Sequence, residues 1–104
     1  MHNDPVLSML GIAAKSGNVV SGEFSTEKAV KTGHAYLVIV SAEASGNTKK
    51  SFCNMTDFYH VPCYCYGSKE ALGRCIGKEF RASLAVTDEN LARAVEKKLK
   101  EHIV

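Results

Sequence analysis

Val6, Leu7, Leu10, Ala13 and Ala14 recur at helical spacing, behind an Asp4-Pro5 pair suited to cap and open a helix. Ser16-Gly17 breaks that period, and glycine suits the left-handed backbone at a helix end. Val19-Val20 is short and β-prone, which predicts an edge strand. A second helix is expected over residues 24–32, closed by Gly33 in the left-handed position. The pattern then changes. Residues 36–40, Tyr-Leu-Val-Ile-Val, lack polar alternation, the mark of a strand covered on both faces.

Residues 41–45 read as a loop, with Ser45 capping a third helix from Gly46 or Asn47 to about Tyr59. Phe52, Met55 and Tyr59 supply its apolar stripe. His60-Val61-Pro62 ends it, and residues 63–66, Cys-Tyr-Cys-Tyr, follow as a strand. Ser68 caps a short helix through Cys75 that stops near Gly77, and residues 82–86 form the next strand. Thr87-Asp88-Glu89 caps a last helix that buries Leu91, Val95 and Leu99, with two acids placed to favour its dipole. Strands alternating with helices predict a mostly parallel central sheet covered on both faces. The expected fold is a three-layer α/β/α sandwich with four strands, in one domain over residues 1–104, without repeat or linker.

Charge adds little. The chain carries 13 Lys+Arg against 11 Asp+Glu, a net charge of +2 that does not announce nucleic-acid binding by itself. Residues 15–50 hold five Lys and three Glu, residues 68–81 four basic and two acidic groups, and the chain from residue 82 four of each sign. A basic surface should therefore come from the first half and the 68–81 segment. Cys53, Cys63, Cys65 and Cys75 lack the paired spacing of a zinc site, and Cys63 and Cys65, two apart in a strand, suit core filling. No signal peptide or membrane-length apolar run is present, so a cytoplasmic protein with reduced, mostly buried thiols is expected.

Catalytic chemistry has no visible seat. His2, His34, His60 and His102 lie in a tail, at element junctions and near the C-terminus, away from any nucleophile context, and no phosphate-cradling glycine motif occurs. Three segments could bind instead. Gly22 precedes the second helix, whose N-terminus offers unpaired N–H groups to an anion and whose Phe24, Lys28 and Lys31 share a face. An aromatic beside two lysines can stack on a base while the ammonium groups meet phosphates; a solvated helix face with one stray Phe reads the same way. Residues 68–81 gather Lys69, Arg74, Lys78 and Arg81 around a turn bearing Ile76 and Phe80, which either face solvent or tuck under the loop as satellite core. The third is the loop after the buried strand, with Glu43 and then Lys49 and Lys50; ligands of open α/β sheets bind at such strand ends, although ordinary capping explains the same residues.

The segments GEFSTEKAVKTG, LVIVSAEAS, NTKK, VPCY and LGRCIGKEFRASLAVTD, in this order and spacing, resemble the ribosomal L7Ae family, in its small bacterial YlxQ-type branch. The resemblance runs from about Leu7 to Ala94. It implies a three-layer α/β/α sandwich whose sheet is mixed rather than mostly parallel. It also implies binding to structured RNA of the kink-turn kind, a sharply bent helix–internal loop–helix with tandem sheared G·A pairs. In the family, a Gly-x-Asn-Glu-x-x-Lys pattern at a helix start reads those pairs. Here it falls on Gly22, Phe24, Ser25 and Lys28: Gly22 and Lys28 match, whereas Phe24 and Ser25 replace the two polar readers. The family's second contact loop corresponds to residues 75–81, with Ile76 and Phe80 toward bulged bases.

The expectation is therefore a non-catalytic RNA-binding protein of ribosomal type. Gly22, Phe24, Ser25 and Lys28 would form the helix-end contact, with Lys31 on phosphate; Glu43 and Lys49 would border it, and Ile76, Lys78, Phe80 and Arg81 would form the second contact. No metal, cofactor or membrane is expected. The partner would be structured RNA, ribosomal in the first instance, with a ribosome-associated protein as a further partner. The alternative is a protein-interaction module that keeps the fold without RNA readout; a thiol enzyme using Cys63 or Cys65 is more remote.

Overall fold

Capping side chains set the helix starts in the computed structural model, which describes residues 4–103; His2 lies outside them. Asp4 Oδ1 accepts from the N–H groups of Val6 (2.9 Å) and Leu7 (3.1 Å), opening α1 (Pro5–Lys15). Ser45 accepts from Thr48 N–H at the start of α3 (Gly46–Phe58), Ser68 from Ala71 N–H at α4 (Lys69–Cys75), and Asp88 from Leu91 N–H at α5 (Glu89–Ile103). Helix α2 (Glu23–Lys31) begins on Gly22 without a side-chain cap and ends at Thr32, before Gly33 with φ +78°. Each helix lies within two residues of its expected start.

The strands β1 (Val19–Ser21), β2 (Leu37–Val40), β3 (Cys63–Cys65) and β4 (Ser83–Val86) form one sheet in the order β1-β4-β2-β3. The mostly parallel sheet expected from strand–helix alternation is incorrect. Only β2 and β3 pair in parallel, and β4 runs antiparallel to both β1 and β2. The physical reason is the brevity of α4. Its seven residues advance the chain by roughly 10 Å, and the segment after it folds back. The chain thus enters β4 at the edge where it left β3. The sheet is mixed, as the family resemblance implies.

Alternate residues of the central strands enter two cores. Leu37, Ile39, Leu84 and Val86 pack with Val6, Leu10 and Ala13 of α1, Leu72 of α4, and Ala92, Val95 and Leu99 of α5. Val38, Val40 and Ala85 pack on the other face with Ala29 and Val30 of α2 and Phe52 of α3. All residues of β2 and β4 are buried, which accounts for the uninterrupted apolar run of β2. The architecture is a three-layer α/β/α sandwich with five helices and four strands among the described residues.

Two expectations about the core are corrected. Tyr59 is exposed at the C-cap of α3; Thr56 takes the inward place and satisfies its buried hydroxyl by donating to Phe52 O at 2.7 Å. The thiols are not mostly buried: Cys53 and Cys65 are exposed, and Cys63 and Cys75 are half-buried. Cys65 ends an edge strand, where the sheet stops covering its side chains. No described helix is long and apolar enough to cross a membrane.

Candidate nucleic-acid interface

Strand direction decides where the expected site residues meet. Strands β1, β2 and β3 run one way and β4 the other, so the first three end at the edge where β4 begins. The backbone is stitched along this edge. Gly22 N–H donates to Ser83 O at 3.0 Å, Ser41 N–H to Ala82 O at 2.8 Å, and Ala42 N–H to Gly67 O at 2.9 Å. Ser41 Oγ, buried, also donates to Gly67 O at 2.9 Å and accepts from Glu43 N–H at 3.0 Å. Four loops distant in sequence thereby become one continuous rim.

At one end of the rim stands the start of α2. Gly22 has φ +92°, a conformation that L side chains rarely adopt, although a Cβ there would meet nothing within 4 Å. Backbone geometry, not crowding, requires the glycine. Thr26 turns inward, its hydroxyl 3.5 Å from that of Ser83, which fixes the opposite face of the helix outward. That face carries Phe24, 77% exposed, with Ser25 and Lys28 also exposed. Lys31 shares the face, but its Nζ lies 2.6 Å from Glu27 Oε2. Its charge is partly committed within the helix, whereas Lys28 has no ion-pair partner among the described residues.

The segment between α4 and β4 forms the next part. Lys78 N–H donates to Gly73 O at 2.8 Å, and a Cβ on Gly73 would overlap the Glu79 carbonyl. The loop lies directly on the helix and needs a missing side chain to do so. Its two apolar residues separate: Ile76 is half-buried against the core that α1, α4 and α5 share, while Phe80 is 67% exposed. Of the two readings open in the sequence, satellite core applies to Ile76 and solvent exposure to Phe80. Lys78 is exposed and outside every ion pair among the described residues. Arg81 is braced: its N–H donates to Lys69 O at 3.0 Å, Nε to Ser21 Oγ at 3.0 Å and Nη1 to Phe80 O at 2.8 Å.

Glu43 borders the rim as an exposed tie: its Oε1 accepts from Lys69 N–H at 3.0 Å and joins the β2–α3 loop to the start of α4. Lys49 is half-buried on the first turn of α3. The contributions of Ser21, Ser41, Thr26, Ser83 and Gly73 were not read from the sequence. A signal was present: Ser41 and Ser83 are hydroxyl residues at the rim ends of apolar runs, where strand neighbours give way to loops. Among the described residues, no group of three or more His, Cys, Asp or Glu side chains could hold a metal ion. Burial pushes the Cys63 thiol up to about 12, away from what a catalytic nucleophile needs.

The sequence profile of the ribosomal protein L7Ae/L30e/S12e/Gadd45 family matches residues 4–98. The chain is 40% identical over 84 residues to the RNA-binding protein YlxQ of Bacillus subtilis strain 168, covering 81% of this chain and 84% of that protein. It is 33% identical over 84 residues to the large ribosomal subunit protein eL30 of Sulfolobus acidocaldarius, covering 79% and 81% respectively. A solved Bacillus halodurans C protein of unknown function superposes with a TM-score of 0.91 at 34% identity, over 94% of this chain and 99% of that one.

Proposed function

Because this chain belongs to the ribosomal L7Ae family, we propose that it is a non-catalytic RNA-binding protein that grips structured, kink-turn-like RNA along the rim of its sheet and works with ribosomal RNA in the cytoplasm. The observation that carries this reading is the stitching of Gly22, Ser41, Gly67 and Ala82–Ser83. It brings the start of α2, the Glu43 and Lys49 segment and the 76–81 loop to one edge. Lys28, Lys49 and Lys78 have no ion-pair partner among the described residues, so their charges stand available to phosphates. The helix-end contact uses Gly22, Phe24, Ser25 and Lys28, with Lys31 at its margin. The second contact uses Lys78 and Phe80, with Ile76 beneath them, Arg81 holding the loop and Glu43 as a brace. The names of the YlxQ and eL30 relatives support RNA as the ligand and the ribosome as its setting.

The test is a titration against a kink-turn RNA and a control whose G·A pairs are replaced by Watson–Crick pairs, at low and moderate salt. The expected result is preference for the kink-turn with affinity falling as salt rises, because phosphate contacts release counterions. Equal, salt-labile binding to both would remove the kink-turn from the reading and leave RNA. Absence of binding at low salt would put a protein partner in its place.

A further inference from the structure

Resting on the RNA-binding reading, we infer that Phe24 is a base-stacking platform, so that the α2 end of the rim takes an extruded, unpaired nucleobase and selects RNA by the availability of that base. Phe24 is 77% exposed on the first turn of α2, more than any other large hydrophobic residue among those described. Its neighbours along α2 do not extend an apolar patch. Glu23, Ser25 and Lys28 are exposed around it, and Thr26, Ala29 and Val30 turn away into the core. A protein partner's hot spot needs a contiguous apolar centre inside a polar rim. A single ring among polar residues of its own helix suits one planar base, whose edges stay hydrated while its face is covered.

The surroundings favour a nucleotide. Lys28 lies one turn from Phe24, exposed and without an ion pair among the described residues, within one helix face of the phosphate that would flank a stacked base. Gly22 carries no side chain beside the helix start, and its φ of +92° turns the chain sharply into α2. A base inside a continuous duplex has both faces covered by its neighbours, so it cannot meet the ring. The ligand must contain a bulge, an internal loop or a strand end. Phenyl stacking accepts any base, and the end of the rim built on Phe24 should therefore be tolerant of base identity there. The net charge of only +2 makes electrostatic grip modest, and stacking gives the interface a component that salt does not erode.

The experiment uses an RNA hairpin with an internal loop, carrying 2-aminopurine at each unpaired position in turn, beside a fully paired hairpin of equal length. Binding of the full chain is compared with Phe24→Leu, Phe24→Tyr and Phe80→Leu, with thermal melts confirming that each variant folds. At one loop position 2-aminopurine fluorescence should fall on binding to the wild type, Phe24→Tyr and Phe80→Leu, but not to Phe24→Leu. Phe24→Leu should weaken binding to the looped RNA by roughly ten- to a hundredfold, leaving affinity for the paired hairpin and the salt slope unchanged. Looped-RNA binding that is indifferent to Phe24→Leu overturns the inference while RNA binding stands. Quenching lost only in Phe80→Leu overturns it too. Absence of binding to either hairpin at low salt removes the RNA reading, and this inference with it.

Discussion

Arg81 Nε donates to Ser21 Oγ at 3.0 Å, joining residues sixty positions apart and tying the loop before β4 to the end of edge strand β1. The same guanidinium donates to Phe80 O at 2.8 Å. Arg81 therefore holds the backbone that carries Phe80, and only part of its donor capacity is left for a phosphate. Ser21→Ala should lower stability by about 1 kcal/mol, the scale of one partly buried hydrogen bond, and weaken RNA binding a few-fold by freeing the loop. Arg81→Met should cost more on both counts. A double-mutant cycle in urea denaturation checks the pairing: coupling near zero would mean the bond contributes nothing in solution.

Gly73 makes a sharper prediction. With the Glu79 carbonyl where a Cβ would sit, Gly73→Ala must move either the 76–81 loop or α4. Overpacking against backbone costs about 1–3 kcal/mol, and the displaced loop should reduce RNA affinity as well. Gly46→Ala is the control, since a Cβ there meets nothing within 4 Å and Gly46 lies in the first turn of α3. It should be neutral or slightly stabilising. Equal stability of the two variants would mean that the loop does not rest on α4.

These contacts divide what was legible in the sequence from what was not. Asp4, Ser45, Ser68 and Asp88 declared the helix starts because caps act through neighbours two or three residues away. The uninterrupted run of β2 declared a strand buried on both faces. The direction of β4 was not legible from alternation, because it depends on how far α4 and its loop carry the chain. Ile76 and Phe80 look alike as apolar loop residues, and only the fold-back on Gly73 separates the one that packs from the one that faces solvent. Glu43 is similar: its acceptance from Lys69 N–H spans 26 residues. Resemblance and local chemistry point to the candidate residues, whereas their mutual bracing is a product of tertiary structure.

Lys28 and Lys31 share a face of α2 but should differ in their response to salt. Lys31 is bonded to Glu27, while Lys28 has no ion-pair partner among the described residues. Each phosphate contact adds roughly 0.7–0.9 to the slope of log affinity against log salt. Lys28→Gln should reduce the slope by about that amount and weaken binding to all RNA sequences alike. Lys31→Gln should change it less, since removing this lysine also releases Glu27 as an uncompensated acid. Fluorescence anisotropy over a potassium chloride series measures both. Equal slopes for Lys28→Gln and the wild type would place Lys28 off the phosphate path.

Tyr66 OH donates to Asp4 Oδ2 at 2.6 Å, a bond across 62 residues that fastens the cap of α1 to the segment after β3. Burial pushes the Asp4 carboxyl up, but Tyr66, the N–H groups of Leu7 and Val6 and the charge of His102 together outweigh it and leave it below the usual aspartate value. Burial, the same hydrogen bond and the Asp4 charge push Tyr66 up to about 12. The signs are opposite. Asp4 contributes stability above its unfolded value of about 4, lost as pH falls through the lower folded value. Tyr66 contributes stability below about 10, lost as pH rises toward 12. Melting temperature should therefore fall on the acid side in the Asp4 window, and on the alkaline side from about pH 9, where the raised Cys63 and Cys75 thiols begin a decline that Tyr66 deepens. Tyr66→Phe should lower the plateau by about 1 kcal/mol, allowing for the partial exposure of both groups, and shrink the acid decline without abolishing it, because the Val6 and Leu7 bonds remain. Part of the alkaline decline should persist through the half-buried thiols of Cys63 and Cys75 and through Tyr64, also pushed up to about 12 by burial and by its bond to Glu96. An acid decline unchanged in Tyr66→Phe would assign the lowered Asp4 carboxyl to the helix cap alone.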